Sequence, residues 1–225
     1  MNNFVSALGG MLVSALACGT AAQAATVIGA QSVTVNIGGE AGMPWVAANM
    51  INQTGLDKTY VSGVTDFDAY LASKPIHNAG AYSEWNSRTD FTSARFTVDF
   101  GSEVTIDRLA YWDEDSTSTS GLALSTADLG VFANFKVVNE TPGTFGGAQV
   151  FAFRPITTRY LTFDLTGCSQ GGVYHGKGCG VRELAFASAT MSAVPEPGTW
   201  AMMIIGFGGT GAALRARRGK LALAA

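Results

Sequence analysis

The sequence is poor in the side chains from which most active sites are built. It has two histidines and three cysteines, and Asp, Glu, Lys and Arg together make up only 14% of its residues. It also lacks the H-E-x-x-H segment with which a helix binds catalytic zinc. With so few candidate acids, bases and metal ligands, we predict a non-catalytic protein without a catalytic residue, cofactor or catalytic metal.

The acidic pairs of the sequence are compatible with one catalytic function, the hydrolysis of glycans. Asp66 with Asp68, and the run from Asp113 to Asp115, bring carboxylates close in sequence, as a secreted glycan hydrolase would require. Asp66 also suits the cap of a short helix. Asp113 and Asp115 are in addition candidates for a structural calcium ion, because clustered carboxylate oxygens suit hard cations.

Basic side chains are scarce in most of the chain and concentrate near its C-terminal end. Residues 25–194 carry ten Lys and Arg against sixteen Asp and Glu, a net charge of −6, whereas residues from Pro195 onward carry four against one, a net charge of +3. An acidic region lacks the positive surface that nucleic acid requires. We therefore exclude nucleic acid as a partner.

Residues 1–24 have the pattern of a secretory signal peptide. Residues 4–17 are mostly apolar and uncharged, and Ala22-Gln23-Ala24 matches an A-x-A cleavage site, although the usual basic start is missing. We predict export through the Sec translocon and cleavage by signal peptidase after Ala24. Cys18, in the segment SALACG, offers the alternative of a lipid-anchored start.

A second apolar segment lies at residues 200–214, which carry no charge. As a helix it would be about 22 Å long, shorter than a hydrocarbon core of ~30 Å. Trp200 lies at one border and Arg215, Arg217 and Arg218 follow the other, as interfacial and basic anchors do. We predict a membrane-spanning helix with its basic end in the cytoplasm, which places residues 25–194 outside.

The motifs of this tail follow one another in a specific order. Pro195-Glu196-Pro197, then Trp200-Ala201-Met202-Met203, the glycine-interrupted apolar run and RARR together resemble the PEP-CTERM sorting tail of Gram-negative bacteria. The resemblance implies an inner-membrane intermediate, recognition of Pro195-Glu196-Pro197 by an exosortase, and delivery to the cell surface or extracellular matrix. Such tails accompany exopolysaccharide-producing and biofilm-forming lifestyles. The predicted sorting tail is residues 195–225.

Between the two ends, apolar and polar residues alternate. ARFTVDF at residues 94–100 and RYLTFDL at residues 159–165 each place apolar side chains on one face, and Gly, Ser and Pro clusters separate such segments. One short helix is predicted over residues 65–71. The pattern predicts an all-β protein with a single β-sandwich of jelly-roll type over residues 25–194.

Four segments of this region carry a second resemblance. SGVTDFDAYLAS, SEWNS, FTVDFGSEVTIDRLAYWDEDS and the closing GVRELAFA resemble a discoidin-like (galactose-binding-like) sandwich. Their order is a strand, a DFGS turn, a second strand and a closing strand. The resemblance implies ligand loops clustered at one end of the sandwich.

Two cysteines remain after signal cleavage removes Cys18. Cys168 and Cys179 form an even pair in an oxidising compartment, which predicts a disulfide around the loop SQGGVYHGKG. The alternatives are a zinc site or a Cys-His nucleophile that uses His175 between them.

The loop-like segment of residues 72–90 holds the candidate ligand contacts His77, Tyr82, Trp85 and Arg88. Sugar sites combine an aromatic face with a few polar groups, although Trp85 equally suits the core. We predict an exported, surface-sorted protein that binds extracellular polysaccharide or acts in the matrix or biofilm. The alternatives are a structural matrix or adhesion protein without a small ligand, and a secreted glycan hydrolase.

Overall fold

A computed structural model of the chain describes most residues between its two ends. The described residues are 24–78, 83–114, 117–138, 146–170, 178–189, 203–209 and 215. The chain divides into two compact units, Ala24–Thr190 and the combined termini Met1–Gln23 and Met191–Ala225.

Of the terminal unit, the described residues are the exposed helical segment 203–209 and the exposed Arg215. Residues 203–209 fall within the predicted span at 200–214, whose other residues lie outside the described part. Within the ranges given above, no helix is both long and apolar enough to cross a membrane. The predicted signal peptide, including Ala22, also lies outside the described residues except for Ala24.

The larger unit consists mainly of strands. They are β1 (Val27–Ile28), β2 (Ser32–Ile37), β3 (Trp85–Asn86), β4 (Ser93–Asp113), β5 (Thr117–Ser118), β6 (Gly121–Thr126), β7 (Gly130–Lys136), β8 (Gln149–Thr166), β9 (Ser169–Gln170) and β10 (Gly180–Ser188). A 3-10 helix spans Ala47–Ile51 and helix α1 spans Phe67–Ala72. The predicted helix at 65–71 is thus confirmed, with Asp66 as its cap, since Asp66 Oδ1 accepts from the Ala69 amide at 2.7 Å.

Eight strands form one antiparallel sheet in the order β1-β10-β4-β8-β6-β7, with β2 beside β4 and β3 beside β10, while β5 and β9 pair separately. Strands β4 and β8 are 21 and 18 residues long, and their pairing shifts register between Asp99 and Val104. Gly101, whose φ of +81° suits glycine, lies at this shift. The sheet therefore folds over into two layers, which confirms the predicted sandwich.

The first layer contains β2, residues 93–99 of β4, residues 160–166 of β8, β6 and β7. The second contains β1, β3, β10 and the other halves of β4 and β8. Both ends of β4 and both ends of β8 consequently lie at one end of the sandwich, called the loop end here. The folds in β4 and β8 define the opposite bend end.

Alternating side chains fill the space between the layers. Phe96 of β4 stacks on Phe163 of β8 with ring centroids 4.7 Å apart, and Phe163 meets Phe186 of β10, in the other layer, edge-on at 6.2 Å. All three rings are fully buried. The inward face predicted from period two is therefore the observed core.

Strand β10 is buried on both of its faces. Leu184 and Phe186 point into the main core, whereas Ala185 and Ala187 join a second apolar cluster with Trp112 on the outer face of the second layer. Phe67 and Tyr70 of α1 cover this cluster. This explains why the sequence of β10 reads as a nearly continuous apolar run.

A disulfide joins Cys168, just after β8, to Cys179, just before β10, with an S–S length of 2.06 Å. Both cysteines are buried. The predicted pairing is confirmed, and it removes the thiolates that the zinc and Cys-His alternatives need. His175, the third group in those alternatives, lies outside the described residues.

Candidate functional site at the loop end

Buried polar side chains concentrate at the loop end. The pairing of Val181 in β10 with Asp113 of β4 and with Trp85 of β3 brings these three strand ends together. Ten polar or charged side chains are buried in the part of the chain described: Asn49, His77, Ser83, Glu84, Ser87, Asp113, Glu114, Thr119, Arg182 and Glu183. Burying charge is unfavourable unless partners compensate, so this end differs physically from an ordinary strand-loop junction.

Trp45 is a half-buried aromatic residue at this end. Its indole Nε1 donates a hydrogen bond to Glu84 Oε1 at 3.1 Å. The amide nitrogen of Asn49 donates to the carbonyl oxygens of Pro44, at 2.8 Å, and of Glu84, at 3.0 Å. The loop that carries Trp45 is thus tied to the segment that carries Glu84, and Trp45 as a whole residue is only partly buried.

Two exposed apolar side chains lie in the same part of the chain as Trp45. Met43 is 81% exposed and Ile37, at the end of β2, is 46% exposed. By contrast, Trp85 and Trp112 are 0% exposed. Trp45 is therefore the partly accessible member of the three described tryptophans, and exposed apolar residues precede it in the chain.

The loop of residues 38–46 is also fixed to the segment after β3. The Ala41 amide donates to the Asn86 carbonyl and the Arg88 amide to the Gly38 carbonyl, each at 2.9 Å. The Arg88 side chain is exposed and runs across Gly39, since a Cβ on Gly39 would lie 2.8 Å from Arg88 Cδ. One loop thus supports both the indole of Trp45 and the guanidinium of Arg88.

The candidates predicted from the sequence occupy different environments. His77 is 0% exposed, and its Nε2 donates to the Thr54 carbonyl at 2.9 Å. Burial, with the nearby Arg182 guanidinium, lowers the pKa of His77 to about 4, so the ring is neutral at pH 7. Trp85 is also 0% exposed and packs edge-on against Phe96 with centroids 5.8 Å apart. Neither side chain reaches the surface.

Arg88 is the predicted contact that does lie at the surface, and Tyr82 falls outside the described residues. The predicted aromatic contact, Trp85, is buried, whereas Trp45 is partly exposed. The strand patterns in the sequence do not identify Trp45. Its signal in the sequence is its position in GGEAGMPWV, a glycine-rich segment without period-two alternation.

Two buried glutamates at this end hold their protons more tightly than usual. Burial raises the pKa of Glu183 to about 8, although its Oε2 accepts from the Gln53 amide at 2.8 Å. Burial also raises the pKa of Glu84, against the opposing effects of its hydrogen bonds, including that from Trp45, and of Arg182. The physical cause in both cases is desolvation of the carboxylate.

The acidic pairs noted in the sequence have structural partners. Asp66 caps α1 and Asp68 pairs with Arg108 on β4. Asp113 is buried and accepts a hydrogen bond from the Tyr111 hydroxyl at 3.4 Å. Within the residues that the structure covers, no three His, Cys, Asp or Glu side chains are grouped to hold a metal ion. Asp115 is not among them, so calcium remains a prediction.

Residues 167–171, GCSQG, match the G-x-S-x-G pattern of serine hydrolases. The nucleophile in that motif stands on a sharp turn between a strand and a helix. Here Ser169 lies in β9, paired with Ser118 of β5, directly after the disulfide-bonded Cys168. The described geometry is thus a strand pairing and differs from the strained turn that exposes a catalytic serine.

The C-terminal tail matches a known motif. Residues 193–218 match the PEP-CTERM protein-sorting motif. The chain carries a PEP-CTERM sorting signal. This confirms the resemblance seen in the tail, and the signal implies secretion, membrane anchoring and then surface display, with processing by an exosortase-type enzyme. Pro195, Glu196, Pro197, Trp200, Arg217 and Arg218 fall within the matched range but outside the described residues.

No curated protein matches the chain. Among solved structures, it is similar to truncated AlyQ with CBM32 and alginate lyase domains, at 17% identity, 75% coverage of this chain, 34% of that chain, and a TM-score of 0.47. It is also similar to chitosan-binding module 2 of the chitosanase/glucanase from Paenibacillus sp. IK-5, in complex with chitotriose. The identity is 10%, the match covers 71% of this chain and 97% of that chain, and the TM-score is 0.46. A third similar structure is CBM32-3 of a Clostridium perfringens family 31 glycoside hydrolase. The identity is 15%, the match covers 73% of this chain and 92% of that chain, and the TM-score is 0.44.

Proposed function

We propose that the protein is an exported, surface-sorted and non-catalytic carbohydrate-binding protein of the extracellular matrix or biofilm. Its sugar site is the loop-end surface around Trp45, Glu84 and Arg88. The observation that carries the proposal is the partly buried Trp45, whose indole N–H is held at 3.1 Å by the buried Glu84 carboxylate. A fixed aromatic face beside a few polar groups is the arrangement that shallow ligand sites use to bind and orient a small polar molecule.

Each side chain of this surface has a distinct role in the proposal. The indole of Trp45 stacks on the apolar face of a sugar ring, and Met43 and Ile37 extend the apolar surface. Arg88 offers up to five N–H donors to ring and hydroxyl oxygens. Glu84 acts by positioning, because its bond to Nε1 fixes the plane of the indole.

Charge favours a neutral glycan over an acidic one. The region of residues 25–194 has a net charge of −6. At the loop end, Glu40, Glu84, Asp113 and Glu114 are acidic, and Arg88, Arg182 and Lys136 are basic, among the described residues. An acidic polysaccharide would approach this end against repulsion, whereas a neutral one would not.

The test is binding of the exported protein, purified from its producing host, to an array of neutral and acidic polysaccharides. We expect binding to neutral glycans, with Trp45→Ala at least about tenfold weaker and Trp45→Phe intermediate. Tyr160→Ala is the matched control, because Tyr160 is an aromatic that is 50% exposed near the bend end. A flat array would contradict the proposal and favour a matrix or adhesion protein without a small ligand.

Sorting is tested separately in the native host. If Pro195-Glu196-Pro197 is the element that the exosortase reads, its replacement by three alanines leaves export intact and blocks release, since fixed proline φ angles keep the segment extended. We expect a membrane-bound form about thirty residues longer than the released one. Met191→Ala with Ser192→Ala, just outside the motif, is the control. Unchanged release of the triple variant would contradict the role of the segment.

A further inference from the structure

A groove lies on the outer side of the second layer, between the end of α1 and the start of β8. Its volume is about 380 Å³. Leu71, Pro75, Ile76, Gly147, Ala148 and Val150 form its apolar walls, and Lys74 contributes the charged group. This volume is within the ~300–1,000 Å³ of small-molecule sites. The groove is distinct from the Trp45 surface, because the two share no residue.

Lys74 has an unusual backbone for its residue type. Its φ is +54°, and it directly follows the last residues of α1, a position where glycine is usual because side chains disfavour left-handed backbone. The Lys74 amide donates to the Leu71 carbonyl at 2.9 Å. Lys58 Nζ donates to the carbonyls of Ser73, at 2.6 Å, and of Lys74, at 3.2 Å. The turn is thus held in place by several hydrogen bonds.

The C-terminal end of a helix is negative and attracts a cation, which explains a positive charge close to this turn. It does not explain why residue 74 itself, with its left-handed backbone, is a lysine. Lys58 already supplies that cation, since its ammonium contacts two carbonyls of the turn and Asp57 at 3.5 Å. The Lys74 ammonium, in contrast, has no hydrogen bond or ion pair with any residue that the structure describes. A backbone strain retained at a charged residue of a groove is a reason to look for a ligand.

We propose that this groove binds a small aliphatic carboxylate, with the alkyl chain against Leu71, Ile76 and Val150 and the carboxylate on the Lys74 ammonium. The apolar walls select a chain without hydroxyl groups, which sets this ligand apart from a sugar. Lys74, the charged side chain among the described residues that line the groove, favours a negative head group over a neutral or positive one.

The probe is octanoate, measured by isothermal titration calorimetry on the full-length protein, with octylammonium as the matched cation. We expect octanoate to bind at least tenfold more tightly than octylammonium, and the difference to shrink at high salt. Gly147→Val adds bulk at a residue that lines the groove, and the fold tolerates it because a Cβ on Gly147 meets no atom within 4 Å. Ala152→Val, an exposed position of β8 that does not line the groove, is its volume control.

The decisive variant is Lys74→Gly. Relief of the left-handed strain should raise Tm by about 2–4 °C, while loss of the ammonium should weaken octanoate binding at least fivefold. If Lys74 only shaped the turn, its replacement by glycine would raise Tm without weakening octanoate binding. Lys136→Met, another exposed lysine, should change neither quantity. Equal binding of octanoate and octylammonium, or binding that Gly147→Val leaves intact, would overturn the proposal.

Discussion

The two ends of the sandwich hold their charges in different ways. At the bend end, Arg159 donates two hydrogen bonds to Asp99, at 2.8 and 2.9 Å, and the arginine side chain is 45% exposed. At the loop end, Arg182, Glu183 and Glu84 are buried. An exposed ion pair is easily solvated and adds little stability, whereas buried charges carry a desolvation penalty. Groups with shifted pKa values cluster at functional sites, and this is the reason for placing the proposed sugar site at the loop end.

We expect the largest loss of stability from removal of the disulfide, which lies at the loop end and has no counterpart among the described residues of the bend end. Replacing Cys168 and Cys179 together by serine frees the loop between them and lowers the free energy of unfolding by about 3 kcal/mol. For a domain of this size the corresponding loss in Tm is about 6–12 °C, measured by calorimetry on the exported protein. A Tm unchanged by the double substitution would show that the loop end does not depend on this crosslink.

The second prediction uses the opposite pKa shifts of two loop-end groups. Glu183 has a pKa raised from 4.5 to about 8, so the folded state binds more protons than the unfolded state between these values and loses stability as pH rises. His77 has a pKa lowered from 6.5 to about 4, so stability rises with pH between 4 and 6.5. Where the windows overlap, between 4.5 and 6.5, the two slopes oppose each other.

Urea unfolding across this range should therefore show a nearly flat free energy from pH 4.5 to 6.5 and a fall of about 1–2 kcal/mol from pH 6.5 to 8. The raised pKa of Glu84 has the same sign, because it also makes the folded state lose stability as pH rises above 4.5. Glu183→Gln should remove most of the fall and reveal the rise due to His77. If Glu183→Gln keeps the wild-type profile, Glu183 is not the titrating group.

The third prediction compares two glycines with almost the same backbone. Gly39 at the loop end has φ +62°, and Gly130, the first residue of β7, has φ +61°. Alanine at either position costs about 1–2 kcal/mol for the left-handed conformation. At Gly39 its Cβ would also meet Arg88 Cδ at 2.8 Å, whereas nothing lies within 4 Å at Gly130. Only Gly39→Ala should therefore displace Arg88 and weaken glycan binding, which the array would measure.

The smallest effect is expected at the bend end. Arg159→Gln removes the ion pair with Asp99, whose pKa is held below its usual range chiefly by the hydrogen bond from Arg159. Because the pair is exposed, the loss should stay below about 1 kcal/mol and diminish further in high salt. Glycan binding should not change. A loss as large as that of the cysteine double variant would remove the contrast between the two ends.

The sequence predicted the parts of this fold that follow from regular patterns. Period-two alternation identified the inward faces around Phe96 and Phe163, and the even number of exported cysteines identified the disulfide. These features depend on local periodicity or on redox compartment, both of which a single sequence contains. The DFGS segment, expected as a turn between two strands, instead lies within β4, because the strand continues through Gly101 with a shift of register.

The candidate site was less predictable, because exposure depends on tertiary packing. His77 and Trp85 belong to a segment of loop-like composition, yet both are buried. Trp85 pairs with β10 and joins the core, and His77 is held by hydrogen bonds to the Thr54 and Gly146 carbonyls. Trp45 is accessible because the loop after β2 is tied back to Asn86 and Glu84, which are about forty positions away in sequence. Neither arrangement leaves a periodic signal in the chain.

The most direct test of the loop-end site is a nuclear magnetic resonance titration of the exported protein with a neutral oligosaccharide taken from the array. The indole N–H signals of Trp45, Trp85 and Trp112 report from one half-buried and two fully buried positions. We predict that the Trp45 signal shifts with saturable dependence on the sugar, that the Arg88 backbone signal follows it, and that residues near Tyr160 at the bend end stay unchanged. Saturable shifts confined to the bend end, with a static Trp45 signal, would contradict the account.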